Sequence, residues 1–467
     1  MKNGRVVLGF APWAAQDVPQ QDAQHWRERL IRALEACDVE VIDLFEAIQD
    51  NFLRTDADAH VAVQHFRDNH VDGVFYPQMG KDCAAFAPQM AKALMLPSLL
   101  WNGRADALLA PEAPQALYHC GAFETVKLFT RMGLAFSLLE STYVDDPKFE
   151  SGLRCFAAAC AVVARLRNLR VLQIAPRDEM RPALAVNENE LLRFFGISCI
   201  PVPISRLSQE MDALVYKRGA DWAATQAMIA RKMDCGFVPE EATGKLAAMY
   251  LALMRLCQQY ECTAIAIPCG DSLREALGVY PCAVAGLLTQ EGLVTVCDAD
   301  VHGAISAVML QQACAGVSPV FFARLAGRHP QRDDAALLCN CGNAPVSLAH
   351  PSTAPVLSDG PGRDGCFGRG QWRLLEGNLT LCRFDGENGR YGLFATQTQT
   401  CDGPRVDGVY TWIQTPVWGA LEQQLLRGGY APSFACVHAC VLPVLREACR
   451  FIDGLHFDGY AHKEYRA

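Results

Sequence analysis

The first 150 residues alternate between short apolar strand patterns and amphipathic helix patterns, and this alternation restricts the fold more than any other feature. The strands and helices follow one another as Arg5–Phe10, Gln24–Cys37, Val39–Ile42, Ala57–Asn69, Val71–Tyr76, Asp82–Met95 and Ser98–Trp101. Neighbouring parallel strands need a long crossover, which is usually a helix. The order therefore predicts a doubly wound parallel sheet.

A second region of the same type follows a predicted linker at Tyr143–Gly152. It begins with a helix at Leu153–Leu166. Its strands are predicted at Leu169–Ala175, Ser198–Ile204, Cys262–Pro268, Leu293–Cys297, Val317–Arg324 and Ala336–Cys339. After residue 343 short strands with turn signals replace this pattern, and a final helix is predicted at Leu442–Gly454. We predict an α/β protein with two doubly wound parallel-sheet domains, 1–150 and 151–343, and a mainly β, barrel-like domain, 344–467.

Composition narrows the class of protein. Hydrophobic residues make up 51% of the 467-residue chain and charged residues make up 20%. Such a balance is typical of a globular protein with a large core. The net charge of −9 argues against a nucleic-acid partner. The N-terminus lacks a signal-peptide pattern, and no apolar run is long enough to span a bilayer, so we expect a cytoplasmic location and no membrane partner.

The cysteine and glycine patterns argue against structural disulfide bonds and against a nucleotide-binding site. The 21 cysteines are scattered through apolar patterns, so most are expected to be reduced and buried. No G-x-G-x-x-G motif follows the first strand, so no nucleotide cofactor is expected.

The most chemically suggestive segment is VTVCDADVHGAISAVML, Val294–Leu310. A strand runs into Asp298 and Asp300, His302 follows, and Gly303 begins an apolar helix. Ligands of open α/β sheets bind beyond the carboxyl ends of strands. Acid–base chemistry by Asp298, supported by Asp300 and His302, is therefore one reading, and helix capping by the aspartates is the alternative.

Several motifs resemble the L-fucose and L-arabinose isomerase family. They are NENELLRFFGI (Asn187–Ile197), CTAIAIPCGD (Cys262–Asp271), PCAVAGLLTQEGLVTVCDADVHGA (Pro281–Ala304), CNCGNAPVSLAHP (Cys339–Pro351), with support from EGNLTLCRF (Glu376–Phe384) and SLLWNG (Ser98–Gly103). The resemblance implies interconversion of an aldose and a ketose through an enediol. It also implies a Mn²⁺ cofactor, a small-molecule sugar as substrate, and a homo-oligomer, a trimer or hexamer.

The resemblance also implies a set of metal ligands. The family's glutamate falls on Asp298, and its histidine falls on His438. Its aspartate should lie in VSPVFFARLAG, where this chain has Ala323 and Arg324. A cation at that place opposes a divalent ion, but it suits an anionic group on a sugar.

Three hypotheses follow. In the first, the chain is an aldose–ketose isomerase with catalytic Asp298 and Asp300, metal ligands Asp298 and His438, and substrate-binding Arg324, His302, Asn340 and Trp101. In the second, it is a metal-free sugar-binding paralogue that acts as a sensor or a non-catalytic subunit. In the third, a zinc ion is bound by some of Cys339, Cys341, Cys436, His438 and Cys440.

Overall fold

A computed structural model of the chain describes residues 5–15, 18–45, 47–48, 50–80, 85–104, 118–177, 179, 181–360 and 364–460. Contacts divide the chain into two compact units. The first comprises Met1–Ala164 and Arg446–Ile452, and the second comprises Arg165–Leu445 and Asp453–Ala467.

The first unit is built on a parallel sheet. Its elements in chain order are β1 (Val7–Phe10), β2 (Trp13–Ala14), α1 (Gln20–Glu35), β3 (Glu40–Ile42), α2 (Asp56–Asp68), β4 (Gly73–Met79), α3 (Phe86–Leu94), β5 (Ser98–Asn102), α4 (Tyr118–Arg131), β6 (Ser137–Leu138) and α5 (Pro147–Arg167). The last three residues of α5 belong to the second unit. The strand order is β3-β1-β4-β5-β6, with β2 also beside β4. Every pairing is parallel.

The second unit begins with another parallel α/β layer. Its elements are β7 (Arg170–Ile174), α6 (Glu188–Phe195), β8 (Ser198–Val202), α7 (Ile204–Lys217), α8 (Ala220–Lys232), α9 (Glu240–Gln259), β9 (Ala264–Ala266), α10 (Asp271–Leu277), α11 (Cys282–Gln290), β10 (Val294–Val296) and α12 (Val301–Ala313). The strand order is β10-β9-β7-β8, and all pairings are parallel. The chain changes direction across the sheet between β7 and β9, which is where ligands of such sheets bind.

A closed antiparallel barrel completes the second unit. The remaining elements are β11 (Phe321–Arg328), β12 (Ala335–Asn340), β13 (Val356–Ser358), β14 (Arg369–Arg373), β15 (Asn378–Glu387), β16 (Arg390–Cys401), β17 (Val409–Gln414), α13 (Trp418–Gly428), β18 (Ser433–Val437), α14 (Leu442–Cys449) and β19 (Leu455–Tyr460). Six strands close in the order β17-β12-β11-β18-β15-β16, because β16 also pairs with β17. Strands β13, β14 and β19 extend the sheet outside the ring.

Helix α12 links the parallel sheet of the second unit to the barrel. Its sequence, VHGAISAVMLQQA, is apolar or small on nearly every face, and almost all of it is buried. A helix that is apolar all round is expected inside a core. It packs against β9 and β10 on one side and against β15 and β18 of the barrel on the other. The turn before α12 is therefore held between the two layers.

The prediction of parallel α/β sheets followed by a barrel is confirmed. Two details were wrong. The strands predicted at Val317–Arg324 and Ala336–Cys339 are β11 and β12 of the antiparallel barrel, because apolar alternation does not reveal which strand will be the partner. The predicted linker Tyr143–Gly152 is half helix, since α5 begins at Pro147.

Helices α7, α8 and α13 and strands β18 and β19 are among the elements that were not predicted. In the part of the chain that the structure describes, each helix is too short or too polar to cross a bilayer.

Candidate active site

Asp298 lies on a strained turn at the carboxyl end of β10. It and Ala299 both have left-handed backbone conformations, with φ of 61° and 51°. Such conformations are costly for residues other than glycine and concentrate at functional sites. Two backbone hydrogen bonds hold the turn, from Ala299 to Ile267 (3.1 Å) and from Asp300 to Cys297 (3.2 Å). The strain directs the Asp298 side chain into a cavity.

This cavity has a volume of about 960 Å³. It opens above the carboxyl ends of β7, β9 and β10, where the barrel faces the parallel sheet. Its charged lining residues among those described are Arg181, Asp298, Arg324, Asp359, Arg369, Arg405 and Asp407. Arginines thus outnumber aspartates on the cavity wall, although the whole chain has a net charge of −9. A local field of this sign favours an anionic ligand.

Two side chains contact the Asp298 carboxylate directly. The Arg324 guanidinium on β11 donates through Nη2 to Oδ2 at 2.6 Å, and the Cys269 thiol, just after β9, donates to Oδ1 at 3.3 Å. The Arg324 side chain is 38% exposed, whereas that of Asp298 is 11% exposed. The base candidate is therefore buried, and its cationic partner reaches into the open cavity.

Burial raises the pKa of Asp298 to about 6, and the neighbouring Cys269 adds to the rise. The positive charges of Arg324 and Arg181 act in the opposite direction and lower this pKa. A carboxylate with a pKa near neutrality is well matched to proton transfer at physiological pH. Asp298 is the group in this cavity best suited to that task.

Asn340 lies on the cavity wall at the end of β12. Its amide nitrogen donates to the carbonyl of Phe322 (3.1 Å), and its side-chain oxygen accepts from the backbone of Gly342 (2.8 Å). Asn340 therefore shapes the wall between β11 and β12 beside Arg324. Its predicted role in binding substrate stays a prediction.

Asp300 and His302 lie behind the turn and do not line the cavity. Asp300 caps α12, because its Oδ1 accepts from the backbone N–H of Gly303 at 2.8 Å. Its other oxygen pairs with the fully buried Arg383. His302 Nδ1 lies 3.1 Å from Asp385, which also pairs with Arg383. These buried contacts attach the amino end of α12 to β15 and hold Asp298, two residues away, in place.

Trp101 lies in the core of the first unit. Its ring stacks on Trp26 at 5.1 Å and contacts Phe149 at 4.7 Å, and the residue is 1% exposed. The predicted stacking on a sugar ring is therefore not possible in this conformation, because the indole has no free face.

His438 is not among the residues that line the cavity with Asp298. Arg324, the partner of Asp298, is opposite Ser433 in the pairing of β11 with β18. His438 follows Ser433 by five residues, a separation of roughly 16 Å along an extended chain. Burial lowers the pKa of His438 to about 4. Its ring is packed near Phe321, with centroids 6.0 Å apart.

The residues present do not fit the manganese site that the resemblance implies. No group of three or more His, Cys, Asp or Glu side chains in the described ranges could hold a metal ion. Both oxygens of Asp298 already have partners, since Oδ2 accepts from the Arg324 guanidinium and Oδ1 accepts from the Cys269 thiol.

The zinc hypothesis meets a similar difficulty. Cys339 and Cys436 lie two strands apart and three residues out of register. The spacing of strands and the rise per residue place them on the order of 14 Å apart. These two thiols are therefore too far apart to share one ion.

The cavity residues that were missed in the sequence include Arg181, Cys269, Arg369 and Arg405. Arg181 and Arg405 lie in segments between strands that carry no periodic pattern. Cys269 does follow the predicted strand at Cys262–Pro268, and its position after a strand end was the available signal.

Comparison with known proteins supports the resemblance drawn from the motifs. Residues 16–167 match the family model described as the fucose/sulfoquinovose isomerase N-terminal domain. A sulfoquinovose isomerase from Priestia aryabhattai is 26% identical over 301 residues, 62% of this chain and 65% of the relative. Another from Alkalicoccus urumqiensis is 29% identical over 219 residues, 46% of this chain and 48% of the relative. The matched span is thus less than two thirds of the length of these curated relatives.

Proposed function

Because this chain is a diverged relative of the L-fucose isomerase family, we propose that it interconverts the aldose and ketose forms of an anionic sugar. The observation that carries the proposal is the buried Asp298 carboxylate paired with Arg324 on an arginine-rich cavity wall. The relatives named as sulfoquinovose isomerases make a sulfonated hexose the first substrate to test.

Asp298 acts as the base. In the open-chain sugar, its carboxylate removes the proton from C2 and returns it to C1 through an enediol intermediate. The cavity holds the sugar next to the carboxylate, so the two groups react within one complex instead of after a bimolecular encounter. The turn at Asp298 and Ala299 fixes the direction from which the carboxylate approaches.

Arg324 stabilises the negative charge that develops on the enediolate oxygen. Its guanidinium is already oriented at 2.6 Å from Asp298 and is partly exposed to the cavity. A preoriented cation in a partly dry site stabilises such charge without reorganisation. The positive charge needed for this step is therefore supplied by a side chain that already contacts the base.

The other arginines hold the anionic substituent of the sugar. Arg181 and Arg405 face the same cavity, and Arg369 stacks over the Tyr280 ring with its guanidinium carbon 3.9 Å from the ring centroid. A planar guanidinium binds sulfonate, phosphate or carboxylate oxygens through paired hydrogen bonds. Since Arg324 lies beside Asp298 at the reacting end of the sugar, these arginines are the binders at its distal end.

The proposal is tested with the purified chain, sulfoquinovose and D₂O, with glucose as the matched neutral sugar. We expect proton NMR to reveal ketose formation with deuterium at C1 of the ketose and at C2 of the recovered sulfoquinovose, and little of either with glucose. Activity is expected to persist in EDTA. Absence of conversion with or without added Mn²⁺ would contradict the proposal. Binding without turnover would favour the metal-free sugar-binding role.

The pH dependence of the reaction should follow Asp298. Its pKa is raised to about 6, and only the deprotonated form accepts a proton. We expect kcat/KM to be constant above about pH 7 and to fall about tenfold per pH unit below 6. A profile with an acid limb near pH 4 would show that the base is an ordinary exposed carboxylate instead.

Arg324→Met should reduce kcat/KM by about 10²–10³, the usual effect of removing one charge-stabilising donor. It also removes a positive charge that lowers the pKa of Asp298, so the acid limb of the pH profile should move to higher pH. Arg324→Lys keeps the charge and should restore part of both effects. An unchanged acid limb in Arg324→Met would contradict the proposed electrostatic coupling.

A further inference from the structure

One arginine of the cavity wall is held in place by its neighbours. Arg369, the first residue of β14, lies over the Tyr280 ring, with its guanidinium carbon 3.9 Å from the ring centroid. Its Nη1 donates to the backbone carbonyl of Asp359 at 3.3 Å. A side chain that is already ordered loses less conformational entropy when it binds a ligand. Arg369 is therefore preorganised for an anion in the cavity.

The ring that supports Arg369 is itself fixed. Tyr280 is 3% exposed, and its backbone N–H donates to the carbonyl of Phe367 at 2.8 Å. Its hydroxyl donates to Oδ2 of Asp364 at 2.8 Å, and Oδ1 of Asp364 accepts from the backbone N–H of Cys366 at 2.9 Å. The ring cannot turn away from the guanidinium without breaking these contacts.

Gly360 leaves the space that the Arg369 side chain occupies. This glycine lines the cavity and has a left-handed backbone, with φ of 83°. A Cβ at this position would meet Nη1 and Cδ of Arg369. Glycine is therefore required here for two reasons, the backbone conformation and the close approach of the arginine.

The neighbouring arginines lack such support. Arg181 and Arg405 line the same cavity. Within the residues that the structure describes, neither side chain has a hydrogen bond or a ring contact, and Arg405 is exposed. Both must be ordered when a ligand binds, which weakens their contribution. Arg369 is thus the strongest candidate for the residue that fixes the anionic group.

The charges on the cavity wall suit a ligand with one negative charge. The charged lining residues that the structure describes are four arginines and three aspartates, which leave one net positive charge. A sulfonate or carboxylate carries one negative charge near neutral pH, whereas a phosphate monoester carries about −1.5 to −2. Asp359 lines the cavity and contacts Arg369 through its backbone, so a doubly charged group would lie near a carboxylate.

We propose that Arg369 determines substrate specificity, and that it selects a sugar with a singly charged sulfonate or carboxylate over neutral and doubly charged sugars. Its remaining N–H donors bind two oxygens of that group. The inference rests on the proposed function, which supplies a sugar whose other end meets Asp298. It adds the charge of the substrate and the residue that recognises this charge.

Calorimetric titration of the full chain measures binding separately from turnover. The probes are sulfoquinovose, glucose 6-phosphate and glucose, which differ in the charge at carbon 6. We expect sulfoquinovose to bind about tenfold more tightly than glucose 6-phosphate, because like charges on the wall oppose the second negative charge. Glucose should bind more weakly than sulfoquinovose, since it offers no partner to the guanidinium.

Two variants and a matched control assign the effect to Arg369. Arg369→Lys keeps the charge but loses the planar fork, so the dissociation constant of sulfoquinovose should rise about 10–100-fold. Gly360→Ala displaces the guanidinium and should raise this constant about tenfold. The control is Gly316→Ala, because Gly316 has a similar φ of 79° and a Cβ there would meet nothing within 4 Å. It shares the cost of a left-handed alanine and should bind like the wild type.

Three results would overturn the proposal. They are no binding of sulfoquinovose to the wild type, equal binding of sulfoquinovose and glucose 6-phosphate, or wild-type affinity in Arg369→Lys. The first two are measured in the unmutated protein, so they do not depend on the folding of a variant. Binding that requires Arg369 but leads to no ketose would contradict the isomerase function and leave this specificity site in place.

Discussion

Asp298→Asn is expected to lower kcat of the proposed isomerisation by about 10²–10⁴, the usual contribution of a positioned general base. The amide keeps the shape of the side chain and tolerates the left-handed backbone of residue 298, because asparagine is enriched there. It cannot accept a proton at neutral pH. The measurement is the rate of ketose formation, compared with Asp407→Asn, which removes an exposed carboxylate of the same cavity and should leave kcat within a few-fold of the wild-type value.

The same substitution should not destabilise the protein. The folded pKa of Asp298 is about 6, above the unfolded value near 4, so the folded state holds this proton more tightly. Its charged form therefore opposes folding above pH 6, by about 3 kcal/mol at most, and this penalty disappears as the pH falls toward 4. Asp298→Asn should be at least as stable as wild type at pH 7.5 in thermal unfolding. Unfolding of the variant under conditions where the wild type is folded would contradict this stability prediction.

Arg383→Met is expected to lower the free energy of unfolding by about 3–5 kcal/mol, because it leaves two buried carboxylates without their cation. Arg383 is fully buried and pairs with Asp300 and Asp385, at 3.1 Å from the latter. Burial alone would raise the pKa of Asp385, but the hydrogen bond from His302 and the charge of Arg383 outweigh it and hold this pKa well below its usual range. The pairing of Asp385 therefore stabilises the fold above the unfolded pKa near 4, and this contribution fades as the pH falls below it.

Urea unfolding at pH 7.5 measures the effect of Arg383→Met. The matched control is Arg5→Met, which removes an ion pair with Asp38 whose side chains are 62% and 72% exposed. Exposed pairs contribute about 0–1 kcal/mol, so little change is expected there. Combining Arg383→Met with Asp300→Asn and Asp385→Asn should recover part of the loss, because no buried charge then remains unpaired. An equal loss in both single variants would show that burial of the charge is not the cause.

The acidic turn could be recognised in the sequence because a strand, an aspartate and a helix start lie within a few residues of one another. The side-chain contacts of Asp298 and Asp300 could not be predicted from such local patterns. Asp300 meets Arg383 and Asp298 meets Arg324 only after the barrel has closed against the parallel sheet, and Cys269 reaches Asp298 from the neighbouring strand. Aspartates capable of capping a helix look the same in sequence whether they face a cavity or a buried arginine. Helix α13, which precedes β18, was likewise not predicted, so the position of His438 next to the barrel could not be inferred.

The contact between Asp298 and Arg324 also bears on how such a site changes by mutation. The resemblance implies a glutamate and an aspartate at these two places, so this chain carries two exchanges that compensate one another in length and in charge. Restoring glutamate alone would push a longer side chain against a guanidinium that is already 2.6 Å away. Restoring aspartate alone would set two carboxylates together in a largely buried turn. Each single reversion is therefore disfavoured while the other exchange remains. Such epistasis makes the present pair difficult to leave by single substitutions.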